Sequence, residues 1–316
     1  MNRESLRSNI GKKLTGIFLL AAAALYLTAC NKQPQRIPFL APTTNTNQQP
    51  LDWPSIKTSA TAVKYKTLVT GKLRVPTSGM LNRNDSKTDL LQDDTMLVEV
   101  YAHLIRHPTK GDYLIDTGLD KRFQHAPQGS YKGLIARYIV RQSFQEKGQD
   151  IASQLQQHNV DLQGVFLTHI HGDHTAGIPV LPENTPIVIG PNESMHHYPL
   201  IMYNDHFDRV TTLQEFDFTA AQPLDALGNV IDVFGDQSLW AIATPGHTRG
   251  NLSFLLHSTH GWVLLTGDAS HTRWGFENEV IPGWAEDAEQ AAISLDHLIT
   301  FVRQNPEVKV VYGQER

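Results

Sequence analysis

Thr168-His169-Ile170-His171-Gly172-Asp173-His174 puts three imidazoles and a carboxylate within six residues. The apolar run Val165-Phe166-Leu167 precedes it directly. A short apolar run of this kind reads as a buried strand. The histidines and the aspartate therefore sit at a strand end, where packing alone gives no reason for so many polar groups. Histidine and aspartate together offer the nitrogen and oxygen donors that suit zinc. A sharp turn, with Gly172 supplying backbone freedom, would aim alternating side chains at two adjacent points. His169 and His171 would face one metal, and Asp173 and His174 the other.

The rest of the composition narrows the class of protein. The chain has 316 residues, 40% of them hydrophobic, enough for one large domain or two small ones with a sizeable core. A net charge of −5 argues against a general nucleic-acid-binding surface. With only one cysteine there can be no internal disulfide, cysteine-rich zinc knuckle or iron–sulfur cluster.

That cysteine has a context. Arg3, Arg7, Lys12 and Lys13 precede the apolar run Ile17–Leu27. The run is shorter than the ~20 residues a membrane span needs, and the order of basic then apolar residues reads as a secretory signal peptide. Leu27-Thr28-Ala29-Cys30 resembles the bacterial lipobox. The resemblance implies that residues 1–29 are a lipoprotein signal peptide and that Cys30 carries the lipid. Asn31 after the cysteine points, by analogy with sorting rules, to the outer membrane facing the periplasm. Residues 30–62 contain Pro34, Pro38, Pro42, Pro50 and Pro54 among Thr, Asn and Gln, and read as a flexible tether. The folded domain is expected over residues 63–316.

Within that domain strands and helices alternate. Thr95–Arg106, Tyr113–Ile115, Leu239–Ala243, Leu252–Leu256, Val263–Leu265 and Val308–Tyr312 read as strands. Gln149–His158 and Ala285–Arg303 read as helices, the second with Ala288, Ala292, Leu295, Ile299 and Val302 on one face. This is an α/β pattern with covered sheets. Two further segments carry metal-type donors past strands. Thr244-Pro245-Gly246-His247-Thr248 places a histidine in a turn, and Thr266-Gly267-Asp268 places a carboxylate after Val263–Leu265. Either alone would read as an ordinary surface turn.

Together with the Asp116-Thr117-Gly118 strand end, these motifs resemble the metallo-β-lactamase superfamily over roughly residues 65–316. The resemblance implies an αββα sandwich with metals at one edge of the two sheets. It also implies two zinc ions: His169, His171 and His247 on the first, Asp173 and His174 on the second, with Asp268 bridging. The pattern is most similar to acyl-homoserine lactonases, which implies a small lactone or related ester as substrate and a zinc-activated water attacking its carbonyl. Asp173 would orient that water and pass a proton to the leaving oxygen. Glyoxalase-II-like thioesterases share the bridging aspartate, so that reading stays open beside a β-lactamase. A metal-binding envelope lipoprotein whose catalysis has lapsed is the alternative from another class. The oligomeric state is left open, a dimer included.

Two positions depart from the family pattern. Gln314 stands in Tyr312-Gly313-Gln314 where a last histidine ligand is expected. Either its amide oxygen ligates the second zinc, or a nearby histidine such as His271 replaces it, or one metal suffices. His271 itself stands where many lactonases of this type have a tyrosine, and its imidazole is expected to help polarise the substrate carbonyl. Aromatic residues in Met195–Phe207 and Trp274–Trp284 could wall a pocket, but read rather as packing.

Overall fold

The computed structural model describes residues 33–42, 51–91, 93–133, 136–195 and 205–315. Residues 36–316 fall into one compact unit. The first sheet is built from β1 (Gln35–Phe39), β2 (Lys64–Pro76), β3 (Thr95–His107), β4 (Gly111–Ile115), β5 (Gln142–Phe144), β6 (Leu162–Phe166), β7 (Ile187–Ile189) and β8 (Thr212–Phe216). Its order is β1-β8-β7-β6-β4-β3-β2-β5. The second comprises β9 (Gln222–Pro223), β10 (Asn229–Asp232), β11 (Leu239–Ala243), β12 (Leu252–Ser258), β13 (Gly261–Leu265) and β14 (Lys309–Val311), in the order β14-β13-β12-β11-β10-β9. Strands β4, β6, β7 and β8 run parallel, while β2, β3 and β4 are antiparallel.

Alternation along the strands explains the layering. On β11 and β12, Leu239, Ala241, Phe254 and Leu256 meet Ile105, Ile115, Phe166, Val188 and Phe216 of the first sheet. Their neighbours Trp240, Ile242 and Leu255 point the other way, onto Leu295, Leu298 and Ile299 of a long helix. On the opposite side Leu104, Leu114, Val165 and Leu167 pack on Ile151 and Leu155. Side chains alternate faces with a period of two, so strands apolar at consecutive positions must be covered on both sides. The result is the αββα sandwich.

Four helices matter for the site and its support: α1 (Trp53–Ser59), α2 (Ile151–Gln157), α3 (Gly172–Thr175) and α4 (Ala288–Gln304). Asp150 caps α2 and Asp287 caps α4, each carboxylate accepting from a backbone N–H three residues on. The buried face of α4 is Ala291, Ser294, Leu295, Leu298, Ile299 and Phe301. It is rotated from the expected stripe, and Ala288 and Ala292 are exposed. Alanine is a weak marker of a buried face, and the larger Leu298 and Phe301 settle the rotation.

The expected tether needs correction within the described residues. Arg36 in β1 pairs with Glu215 at 3.0 Å, and the Phe39 ring packs on Phe216 and Phe166. Trp53 in α1 is 2% exposed, donates from Nε1 to Asn305 Oδ1 at 2.7 Å, and packs on Trp262 and Phe301. Ile56 is buried beside it, a side chain worth about 1.5–3 kcal/mol on full burial. The folded body thus begins near Arg36 rather than residue 63. Pro54, one of the prolines of the expected tether, occupies the first turn of α1, where its missing N–H costs nothing, and Asp52 caps that turn. The signal peptide and Cys30 lie outside the described residues, as do residues 43–50 of the tether.

Candidate metal centre

The site forms where strand ends of the two sheets meet. Thr168 O, just beyond β6, accepts from Leu252 N at the start of β12. From this corner α3 turns sharply away, with His171 as its N-cap and Asp173 and His174 in its single turn. Gly172 does not occupy the left-handed region expected of a turn glycine. It is needed for room: a Cβ there would lie 2.2 Å from the Tyr131 hydroxyl oxygen. His247 arrives from a turn seated on the start of α4, where Glu286 N donates to His247 O and Asp287 N to Gly246 O. Asp268 follows β13 and is 3% exposed. Gly313 lets the last strand pass over it, since a Cβ there would lie 2.3 Å from Asp268 Oδ1.

The structure brings all seven expected metal residues together. His169, His171, His247 and Asp268 each offer a donor atom within 4.8 Å of the others. His247 Nε2 lies 2.9 Å from His171 Nδ1. Asp268 Oδ2 lies 3.5 Å from His247 Nε2, 3.6 Å from His169 Nε2 and 3.4 Å from His174 Nε2. Asp173 Oδ2 is 3.6 Å from His174 Nε2. Gln314 Nε2 donates to Asp173 Oδ2 at 2.8 Å and lies 3.3 Å from His174 Nε2.

These residues fit a divalent cation. Two donors about 2.0–2.1 Å from one tetrahedral ion are roughly 3.3 Å apart, within the spread of the separations here. His169 Nε2 is buried without a hydrogen-bond partner, 3.6 Å from Asp268 Oδ2. An unsatisfied buried polar atom costs about 1–3 kcal/mol, so an unpartnered imidazole nitrogen facing that carboxylate marks a place built for a ligand. Burial, reinforced by neighbouring imidazoles, holds His169 and His247 well below the ordinary histidine pKa, which keeps both neutral with lone pairs available. His174 goes the other way. Burial opposes its charge, but Asp268, Asp116 and Asp173 outweigh it and raise its pKa well above the ordinary value.

Supporting groups missing from the expected site list explain the geometry. Asp116, at the end of β4, accepts from Thr168 N at 2.8 Å and Thr168 Oγ1 at 2.9 Å, and pairs with His174 Nδ1 at 2.8 Å. Its backbone is left-handed, with φ of 58°, a cost that persists because these bonds over-determine it. A carboxylate behind a ligating histidine fixes both tautomer and ring orientation. The strand-end motif Asp116-Thr117-Gly118 is the signal that could have found it. Glu193 holds the next turn: Thr248 Oγ1 donates to Glu193 Oε1 beside His247.

The expectation that His271 faces the substrate carbonyl needs correction. Its side chain is 1% exposed, and both nitrogens are engaged, Nδ1 with Met80 O and Nε2 with Asp268 Oδ2, each at 2.9 Å. No free N–H is left for a carbonyl. In the aromatic stretches, His206 pairs with Ser130 and Thr175 and is buried, and Phe276 packs on Tyr312, so both serve packing. His196, His197, Tyr198 and Tyr203 lie outside the described residues.

Glu193 yields a test of how the His247 turn is held. Burial, with Glu286 adding to it, pushes its carboxyl up from 4.5 to about 7. The folded state therefore keeps a proton that the unfolded state releases, and stability falls as pH rises between those values. A shift of that size corresponds to roughly 3 kcal/mol. Glu193→Gln keeps an acceptor for Thr248 and removes the titration. Urea midpoints at pH 5 and pH 8 should fall less with rising pH in the variant than in the parent. An identical fall in both would show that Glu193 is ionised throughout.

The comparisons agree with this geometry. The model of the metallo-beta-lactamase superfamily matches residues 96–313. The N-acyl homoserine lactonase of Bacillus cereus is 27% identical over 239 residues, covering 75% of this chain and 89% of that protein. N-acyl homoserine lactonase AttM of Agrobacterium fabrum is 28% identical over 227 residues, covering 69% and 82%. An N-acyl homoserine lactone hydrolase solved with N-hexanoyl-L-homoserine at its catalytic metal centre superposes with a TM-score of 0.65 at 21% identity, over 81% of this chain and 94% of that one. AidC, a dizinc quorum-quenching lactonase, superposes with a TM-score of 0.51 at 14% identity, over 81% and 88%. The two sheets, the buried corner where they meet and its histidines and carboxylates are thus those of a hydrolase that belongs to the metallo-beta-lactamase superfamily.

Proposed function

We propose that this protein is a zinc-dependent lactonase acting on acyl-homoserine lactones or closely related lactones and esters. The observation that carries the reading is the convergence of His169 Nε2, His171 Nδ1, His247 Nε2 and Asp268 Oδ2 on one point. The lactonase relatives from Bacillus cereus and Agrobacterium fabrum support the choice of substrate.

In this reading His169, His171 and His247 would hold a first ion, Asp173 and His174 would contribute to a second, and Asp268 would serve both. Bound zinc supplies Lewis acidity toward the carbonyl and brings the pKa of water toward ~7. The remaining chemistry belongs to the chain. Asp268 is sealed, with 4% of its side chain exposed, whereas the Asp173 side chain is 20% exposed. Asp173 is therefore the carboxylate of the centre that reaches solvent and substrate. Gln314 Nε2 fixes one of its oxygens. The carboxylate takes a proton from the attacking water as the new C–O bond forms, and returns it to the ring oxygen as the lactone C–O bond breaks, giving the hydroxy acid.

The test uses the chain from residue 31 on and a panel of acyl-homoserine lactones, aryl esters, thioesters and a β-lactam. Lactone turnover should disappear with chelator and return with zinc, and Asp173→Asn should lower kcat by about 100-fold or more. Thioester turnover without lactone turnover would favour the thioesterase reading, and bound metal with no turnover a binding protein.

We also propose that the mature protein is anchored through lipid on Cys30, on the outer membrane facing the periplasm. The basic region, the short apolar run and Leu27-Thr28-Ala29-Cys30 support this. Full-length protein should fractionate with outer membranes and Cys30→Ser should release it; equal partitioning of the two would overturn the anchor.

A further inference from the structure

We infer that His271 is a metal ligand, supplying through Nε2 the imidazole that the second cation site lacks at Gln314. The inference rests on the metal-dependent reading above and deepens it.

The hydrogen bonds fix the ring. Met80 O can only accept, so the Nδ1 at 2.9 Å from it carries the proton. The other nitrogen, Nε2, is thereby aimed at Asp268 Oδ2, 2.9 Å away, the oxygen on which the centre converges. A backbone carbonyl on one ring nitrogen, with the other directed at the centre, is also how metal-bound histidines are commonly oriented.

The surroundings point the same way. Asp268 Oδ2 has four imidazole nitrogens within 3.6 Å, from His169, His174, His247 and His271, and His271 is the nearest. That is more than one carboxylate oxygen accepts as hydrogen bonds, and it is what a shared ligand between two cations would collect. His271 also lies beside the altered position. Gln314 N donates to His271 O at 2.9 Å, and Gly313 N to Ser270 O at 3.0 Å. The imidazole absent at residue 314 is thus present on the backbone segment bonded directly to it. Gln314 meanwhile uses its amide nitrogen on Asp173.

The test counts metal and needs no substrate. Purified protein is equilibrated with buffered zinc, its metal content is measured, and X-ray absorption counts imidazoles per ion. The parent should hold two ions and show five imidazoles shared between them. His271→Ala should hold one ion at the same free zinc, its second-site affinity lower by about 100-fold or more, while Gln314→Ala keeps two. Four imidazoles in the parent, or two ions retained in His271→Ala while Gln314→Ala drops to one, would overturn the assignment. If His271→Ala does not fold, the imidazole count of the parent decides alone. In a folded His271→Ala background, adding Gln314→His should restore the second ion. A parent that holds two ions with five imidazoles but turns over no lactone would remove the lactonase reading and leave this ligand in place. Lactone turnover with four imidazoles would do the reverse.

Discussion

One carboxylate oxygen organises this molecule. Asp268 Oδ2 sits among four imidazoles in a place closed to water, 3.4–3.6 Å from three of them and 2.9 Å from the fourth. Such a cluster is costly without a cation, because buried charge and unpaired lone pairs are both expensive. Burial pushes the Asp268 carboxyl upward, and the neighbouring His271 and His174 reverse this and hold it well below its usual value. A divalent ion would resolve the same conflict more completely, by giving the facing donor atoms a common partner.

The fold exists, in this sense, to bring distant strand ends to that oxygen. Asp116 ends β4, His169 to His174 follow β6, His247 follows β11 and Asp268 follows β13. The first two strands belong to one sheet and the last two to the other. Two apolar sheets packed face to face fix their edges rigidly, since cores of this density tolerate little displacement. Precision at the site is inherited from Phe166, Phe254 and Leu265 in the core between them.

Much of this was legible in the sequence, for identifiable reasons. His169, His171, Asp173 and His174 form a dense local run after a strand, and the structure brings them to His247, Asp268 and Gln314. The sandwich follows from apolar strands alternating with helices. The N-terminal segment is not legible as folded, because proline looks the same at a first helical turn as in a tether; only the burial of Trp53 against Asn305, Trp262 and Phe301 distinguishes them. The role of Gly172 was legible as a need for glycine but not as a need for space, because Tyr131 approaches from elsewhere in the chain. His271 departs from the family pattern in the sequence itself, yet its orientation depends on Met80 O, 191 residues away, a contact no local pattern announces.

The claim beneath all of this is that His169, His171, His247 and Asp268 share a cation. Anomalous diffraction at the zinc edge from zinc-equilibrated crystals addresses it directly. The account predicts a peak about 2.0–2.2 Å from His169 Nε2, His171 Nδ1 and His247 Nε2 together. Density with no anomalous signal between those three nitrogens, at saturating zinc, would contradict it.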